Sequence, residues 1–163
     1  MTWQLRSAGP DDLEAIMNIE RASFLNDAWS DEAMLADLRN PQCWYVVAER
    51  DGVAGVVEAY AGLFAPEGAH EADIQTIAVA EPARRGGLGR TLMQTLIGEA
   101  RKRGAQQLFL EVRADKPGAK HLYDSLGFVE IGLRPGYYQP DNVDAITMRL
   151  DIPEPRLRPA VGQ

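Results

Sequence analysis

The sequence predicts an α/β (α+β) fold, a central mixed and mostly antiparallel sheet of about seven strands with helices on both faces. Three observations predict it. From residue 42 to about 80, β-rich apolar runs are punctuated by Asp51-Gly52, a strong short-hairpin signal. After Gly86-Gly87 the pattern changes, and helical apolar spacing alternates with short strand runs. The length of 163 residues, 45% of them hydrophobic and 25% charged, suits one compact soluble domain and is too short for two.

Trp3 and Leu5 begin a short strand. Pro10-Asp11-Asp12 starts a helix, since early carboxylates complement the positive end of the helix dipole. Leu13, Ile16 and Met17 give that helix one apolar face. The loop Asn26-Asp27-Ala28-Trp29 leads to Ser30, an N-cap for a second helix with Asp31 and Glu32 in its first turn. Strands over Trp44–Ala48 and Val53–Tyr60 form the hairpin, and Ile74, Thr76, Ala78 and Val79 supply a third antiparallel strand after a loop from Ala65 to His70.

Gly86-Gly87 then opens a helix with Leu88, Leu92, Met93, Leu96, Ile97 and Ala100 on one face, ended by Gly104. A strand follows over Gln107–Arg113. The next helix starts near Pro117, carries Ala119, Leu122, Tyr123 and Leu126 on one side, and stops at Gly127. Strands near Phe128–Leu133 and Asp144–Leu150 finish the domain, which is read over residues 1–152. Residues 153–163, with Pro153, Pro155 and Pro159, are read as an irregular tail.

The formal net charge of -7 argues against non-specific binding of nucleic acid. It suits a cationic small molecule or basic peptide as partner, and equally serves plain solubility. Cys43 is the only cysteine, so no internal disulfide forms, and its apolar neighbours mark it as a small packed hydrophobe. No basic-then-apolar leader opens the chain, and no apolar run approaches the ~20 residues that span a bilayer. The expected location is the cytoplasm. Two histidines and one cysteine, far apart, point to no metal site.

The most informative segment is Ile77 to Arg90, where a strand runs into a tight loop and the loop opens an amphipathic helix. First-turn N–H groups of a helix lack intrahelical partners, and the dipole adds positive potential. Gly86, Gly87 and Gly89 allow close approach by a bulky anion because no Cβ intervenes. Arg84, Arg85 and Arg90 add forked donors suited to phosphate oxygens. A nucleotide P-loop has Lys-Ser or Lys-Thr where Arg90-Thr91 stands, and the spacing also differs from a dinucleotide fingerprint.

Arg84-Arg85-Gly86-Gly87-Leu88-Gly89 resembles the Gln/Arg-x-x-Gly-x-Gly/Ala signature of the GCN5-related N-acetyltransferase (GNAT) superfamily. The resemblance implies acetyl-CoA as co-substrate, its pyrophosphate held by backbone from Arg85 through Leu88 and Gly89 to Arg90. It also implies that Ile77, Ala78 and Val79 pair their backbone with the pantetheine arm and the acetyl carbonyl, as an unpaired strand edge can.

Acetyl transfer to an amine needs a proton acceptor, a stabilised carbonyl oxygen and a proton for the departing sulfur. Glu111 alternates away from Leu108, Leu110 and Val112, and its carboxylate can take a proton directly or through a water. The Tyr123 phenol can donate to sulfur. Taken singly, a strand glutamate is more often solvated and a tyrosine on an apolar stripe more often core. The segments Leu110–Ala114, Leu122–Phe128, Arg134–Tyr138 and Asp144–Met148, and more loosely Asp27–Ser30, resemble the ribosomal-protein-alanine N-acetyltransferases (RimI type) within the superfamily. That resemblance implies Glu111 as proton acceptor, Tyr123 as proton donor, and the N-terminal alanine of small-subunit ribosomal protein eighteen, a basic protein, as acceptor. The chain departs from the family at Lys116, where asparagine is common. Lysine cannot cap a helix N–H, so Asp115 is expected to take the cap.

Tyr137 and Tyr138 either line the acceptor groove or pack on the sheet, and His121 falls on a surface position. Three other readings stay open. A GNAT enzyme can acetylate a lysine side chain, a polyamine or a small amine. The same fold can serve as a non-catalytic acetyl-CoA sensor, and a nucleotide-binding protein is the outsider.

Overall fold

The computed structural model describes residues 2–53 and 55–153. The proline-containing tail read from the sequence lies outside them, except for Pro153. Seven strands form one sheet: β1 (Trp3–Ser7), β2 (Cys43–Arg50), β3 (Val57–Phe64), β4 (Glu71–Val79), β5 (Gln107–Arg113), β6 (Val129–Tyr138) and β7 (Val143–Asp151). Four α-helices accompany them: α1 (Leu13–Ser23), α2 (Asp31–Arg39), α3 (Leu88–Lys102) and α4 (Pro117–Ser125). The strand order is β1-β2-β3-β4-β5-β7-β6, and every neighbouring pair is antiparallel except β4 with β5.

Strand alternation divides the core between the two faces of this sheet. Val46, Ala48, Ala61, Leu63, Leu108 and Met148 point to the face covered by Leu92, Met93 and Leu96 of α3. Tyr45, Val47, Tyr60 and Ala78 point to the other face and meet Ile16, Met17 and Met34 of α1 and α2. Ser30 caps α2 as expected, its hydroxyl accepting the Ala33 N–H at 3.1 Å.

Three local expectations are corrected. The second hairpin strand begins at Val57 rather than Val53. Gly52 and Gly55 both take positive φ, so the chain turns twice before the Arg50 N–H meets the Val56 carbonyl at 3.0 Å. Strand β6 runs to Tyr138 rather than ending near Leu133. A register shift between Arg134 and Tyr138 absorbs Pro135, which has no N–H to donate, and the strand then re-pairs with β7. Asp115 does not cap α4. The Arg113 guanidinium two residues earlier takes its carboxylate through two 3.0 Å hydrogen bonds, and Lys116 occupies the cap position with no side-chain bond to the helix.

What positions the site is the parting of β4 and β5. They pair only at Glu71 with Gln107, Ala72 with Leu108, and Asp73 with Phe109. Beyond that point β4 stays with β3 and β5 stays with β7, so the sheet opens into a V. In the gap lies the cleft.

Candidate active site

A cleft of about 910 Å³ runs along the open V. Its floor is the second half of β4 and the end of β5. One wall is the loop before α3 with the start of α4, and the other is the segment joining α1 to α2 together with Tyr138.

Alternation decides which backbone groups of β4 face the gap. The Ala80 N–H donates to the Glu58 carbonyl at 2.8 Å, toward β3, so Ala78 also spends its peptide groups on β3. Ile77 and Val79 therefore present theirs to the gap. The Arg84 Nε donates to the Val79 carbonyl at 2.9 Å on that side. Of the three β4 residues expected to pair with a ligand through their backbone, Ile77 and Val79 are aimed for it and Ala78 is not.

The loop 84–90 is built around amides. No acceptor is present among the described residues for the backbone N–H groups from Arg85 to Arg90, and the first helical bond is Thr91 N–H to the Gly87 carbonyl at 3.1 Å. Gly87 takes φ +78° at the N-cap of α3, and Arg85 takes φ +72°, uncommon for a residue with a Cβ. The bent loop and the helix tip thus leave these donors without partners, and Arg85, Gly87, Leu88, Gly89 and Arg90 line the cleft, an arrangement that fits a diphosphate. The glycines serve different neighbours. A Cβ on Gly86 would sit 2.8 Å from Cη2 of Trp3, so that glycine is required by an indole from β1, whereas Gly89 has only Leu122 nearby, at 3.5 Å. The arginines also divide. Arg84 is tied to Val79 and Arg90 to the Ser125 hydroxyl at 2.7 Å, while Arg85 has no hydrogen-bond or ion-pair partner among the described residues.

Glu111 and Tyr123 both line this cleft. Glu111 faces away from the core that holds Leu110 and Val112, and Arg134 Nε lies 3.7 Å from its carboxylate. Tyr123 is 7% exposed and packs edge-on against Phe128, with ring centroids 6.1 Å apart. Burial pushes its phenol up to about 12, so it stays protonated across the neutral range. Its hydroxyl has no hydrogen-bond partner among the described residues. Tyr138 lines the cleft and Tyr137 does not. The two rings meet edge to face at 5.2 Å, and Tyr137 is half exposed beside Arg134. His121 is exposed. Cys43 is half-buried, and burial pushes its thiol up to about 11, which suits packing rather than nucleophilic attack.

Two groups on the side of the cleft away from α3 are not announced by any motif in the sequence. Glu20, 1% exposed, sits on the apolar face of α1 beside Ile16, Met17 and Ile19. Its carboxylate accepts the Trp29 N–H at 3.0 Å, the Thr76 hydroxyl at 3.0 Å and the Tyr60 hydroxyl, and no cation partners it among the described residues. A carboxylate four residues after Ile16 on a buried stripe was the available signal. The second group is Arg113, whose side chain is 11% exposed. Asp115 and Asp141 each lie 3.0 Å from its guanidinium and Asp27 lies 3.5 Å away. No sequence pattern joins those four residues.

Arg84, Arg85 and Arg90 charge the α3 end of the cleft, while Glu20, Asp27, Glu111 and Asp115 border the rest of it together with Arg113 and Lys116. It can hold a phosphorylated ligand along the V and bring a cationic group to Glu111.

Comparison with known proteins agrees with this geometry. The family model described as Acetyltransferase (GNAT) family matches residues 13–128. The chain is 36% identical over 148 residues to the N-alpha-acetyltransferase RimI of Mycobacterium tuberculosis, spanning 88% of this chain and 89% of that one. It is 48% identical over 84 residues to the [ribosomal protein bS18]-alanine N-acetyltransferase of Escherichia coli, covering 50% of this chain and 57% of the other. The crystal structure of the ribosomal-protein-S18-alanine N-acetyltransferase from Escherichia coli superposes with a TM-score of 0.84 at 33% identity, over 95% of this chain and 97% of that one.

Proposed function

This chain belongs to the acetyltransferase (GNAT) family, and from that premise we propose that it acetylates the N-terminal alanine of ribosomal protein S18, with Glu111 as proton acceptor and Tyr123 as proton donor. Acetyl-CoA is the donor that the family uses. The acceptor is taken from what two relatives, of Bacillus subtilis and Escherichia coli, and the Escherichia coli crystal structure are named for. The observation that carries the reading is convergence: Arg85 and residues 87–90 with their unpaired amides, Ile77 and Val79 on the open side of β4, a carboxylate and a protonated phenol all border one cleft.

Acetyl-CoA supplies an activated acetyl thioester. The loop amides and the α3 N-terminus bind the diphosphate, and the gap-facing backbone of Ile77 and Val79 pairs with the pantetheine arm, one of its N–H groups holding the carbonyl oxygen as it gains charge. An α-amino group has an ordinary pKa of ~8, so near neutral pH the substrate must lose one proton before it attacks. Glu111 accepts that proton, directly or through a water. As the N–C bond forms and the C–S bond breaks, the Tyr123 hydroxyl protonates the departing sulfur. The second amine proton leaves the new amide nitrogen and restores the phenol through solvent, and Glu111 releases its own proton to bulk water. The products are the acetylated peptide and the CoA thiol, and no protein nucleophile is involved.

Residues 1–152 act as one acetyltransferase domain in this reading, and a ribosomal acceptor assigns the reaction to the cytoplasm. No helix among the described residues is long and apolar enough to cross a membrane. The purified enzyme should be incubated with acetyl-CoA and a panel: an Ala-starting S18 peptide, its N-terminally blocked form, a lysine-containing peptide and a polyamine. Thiol release and mass spectrometry should show acetylation of the alanine peptide at its first residue and none of the blocked form. A higher kcat/KM for the polyamine or the lysine side chain would overturn the acceptor assignment.

A further inference from the structure

We propose that Arg113 is a positioning residue for the acceptor, a latch that holds three separate segments around the open end of the cleft. Its guanidinium hydrogen-bonds Asp115, which precedes α4, through Nε and Nη2 at 3.0 Å each. Nη2 also reaches Asp141 in the β6–β7 connection at 3.0 Å, and Nη1 lies 3.5 Å from Asp27 in the segment between α1 and α2. The Tyr138 ring lies beneath it, with Cζ 5.1 Å from the ring centroid. Asn26 closes the circle by donating to Asp141 at 2.9 Å.

Three carboxylates on one guanidinium repel one another unless the cation stays between them. Removing it loosens every segment at once, because Arg113 is the one partner all three share. Among the described residues, only the Asn26–Asp141 hydrogen bond is then left between the segments of Asp27 and Asp141. Arg113, Asp27, Asp115 and Tyr138 all border the cleft, so the latch sets the shape of the wall that an acceptor must pass. Among the described residues no hydrogen bond or ion pair joins Arg113 or its three carboxylates to the loop 84–90. Arginine is needed for geometry as well as charge, since a lysine ammonium is a point donor and cannot bridge two carboxylates in a fixed plane.

The proposal rests on the acetyltransferase reading, and the test separates the two. Arg113→Gln, Arg113→Lys and Asp141→Asn should be compared with wild type for the KM of the Ala-starting peptide and of acetyl-CoA. Hydrogen exchange should be followed at residues 24–30 and 138–142. Arg113→Gln is expected to raise the peptide KM about tenfold with the acetyl-CoA KM within about twofold, and to speed exchange in both segments. Arg113→Lys should fall between Gln and wild type. Asp141→Asn, which leaves the arginine in place, should loosen 138–142 alone and raise the peptide KM about threefold. Equal rises in both KM values, or unchanged exchange in either segment of the Gln variant, would overturn the latch. If wild type does not acetylate the peptide, the acceptor reading fails and exchange alone decides: faster exchange confined to the two segments supports the latch, and anything else rejects it.

Discussion

The two ends of the cleft are built from different materials. The α3 end is made of backbone: six unpaired amides over residues 85–90 and two strand residues facing a gap, all within fourteen consecutive positions from Ile77 to Arg90. The acceptor end is made of side chains gathered from far apart, such as Asn26 with Asp141 across 115 positions and Glu20 with Thr76 across 56. A diphosphate is one fixed shape, and a contiguous turn can hold it with donors that need no particular side chain. An acceptor is recognised by features that vary, and the walls around it come from loops whose only common property is where the sheet delivers them.

The seam between the two ends should give the largest effect. Tyr123→Phe removes the proposed donor and is expected to lower kcat on the order of 100-fold or more, with the acetyl-CoA KM within about twofold. Glu111→Gln should lower kcat in a comparable range at neutral pH and less at high pH, where free amine is already abundant. Because the Tyr123 phenol is pushed up to about 12, the wild-type rate should rise as the amine deprotonates and then stay level to about pH 10. A fall in kcat centred near pH 10 would show the phenol titrating normally and remove its role as a buried acid. Steady-state rates from pH 6 to 10 on three proteins decide this.

At the backbone end, side chains should matter only where they shape the loop. Gly86→Ala forces a methyl toward Trp3, and since the contact at 2.8 Å is with the outer ring of a packed indole, the loop must yield. We expect about a fivefold rise in the acetyl-CoA KM and no change in the peptide KM. Trp3→Phe on its own should alter little, and combined with Gly86→Ala it should recover most of the loss, because a benzyl ring does not reach as far. A double-mutant cycle measures that coupling. Independent, additive effects would mean that Gly86 serves the ligand directly and that β1 does not support the loop.

The contrast also explains what was legible beforehand. Strand and helix periods, Ser30 as a cap and the run Arg84–Arg90 are local patterns, and each was readable because its cause lies within a few residues. Errors came where a distant or competing partner decided the outcome. Asp115 left the α4 cap for Arg113, and the backbone of Ala78 is committed to β3. The second hairpin strand was misplaced for a local reason, a second left-handed glycine after Gly52. Arg113 reads in the sequence only as part of a strand, since nothing near it announces Asp27 or Asp141.

Glu20 supplies the smallest and most diagnostic effect, a stability difference that depends on pH. It anchors the inner end of the segment whose outer end Arg113 holds, by taking the Trp29 N–H beneath the cleft. Burial raises its pKa above the ordinary 4.5, and the nearby charge of Asp27 pushes the same way, while the Trp29 and Thr76 hydrogen bonds pull it down without cancelling the rise. A carboxyl with a raised native pKa binds its proton more tightly when folded than when unfolded. Folding therefore loses stability as pH rises from 4.5 through the raised value, and the penalty is complete above it. Glu20→Gln removes that titration while keeping shape and an acceptor for Trp29. The melting temperature of the variant minus that of wild type should become more positive from pH 4.5 upward and then level off, whatever its value at the acidic end. Scanning calorimetry of both proteins from pH 4.5 to 8 reads the difference directly. A difference that stays flat, or that falls as pH rises, would mean that the three donors hold Glu20 fully ionised in the fold, and that the acceptor wall rests on a stable carboxylate.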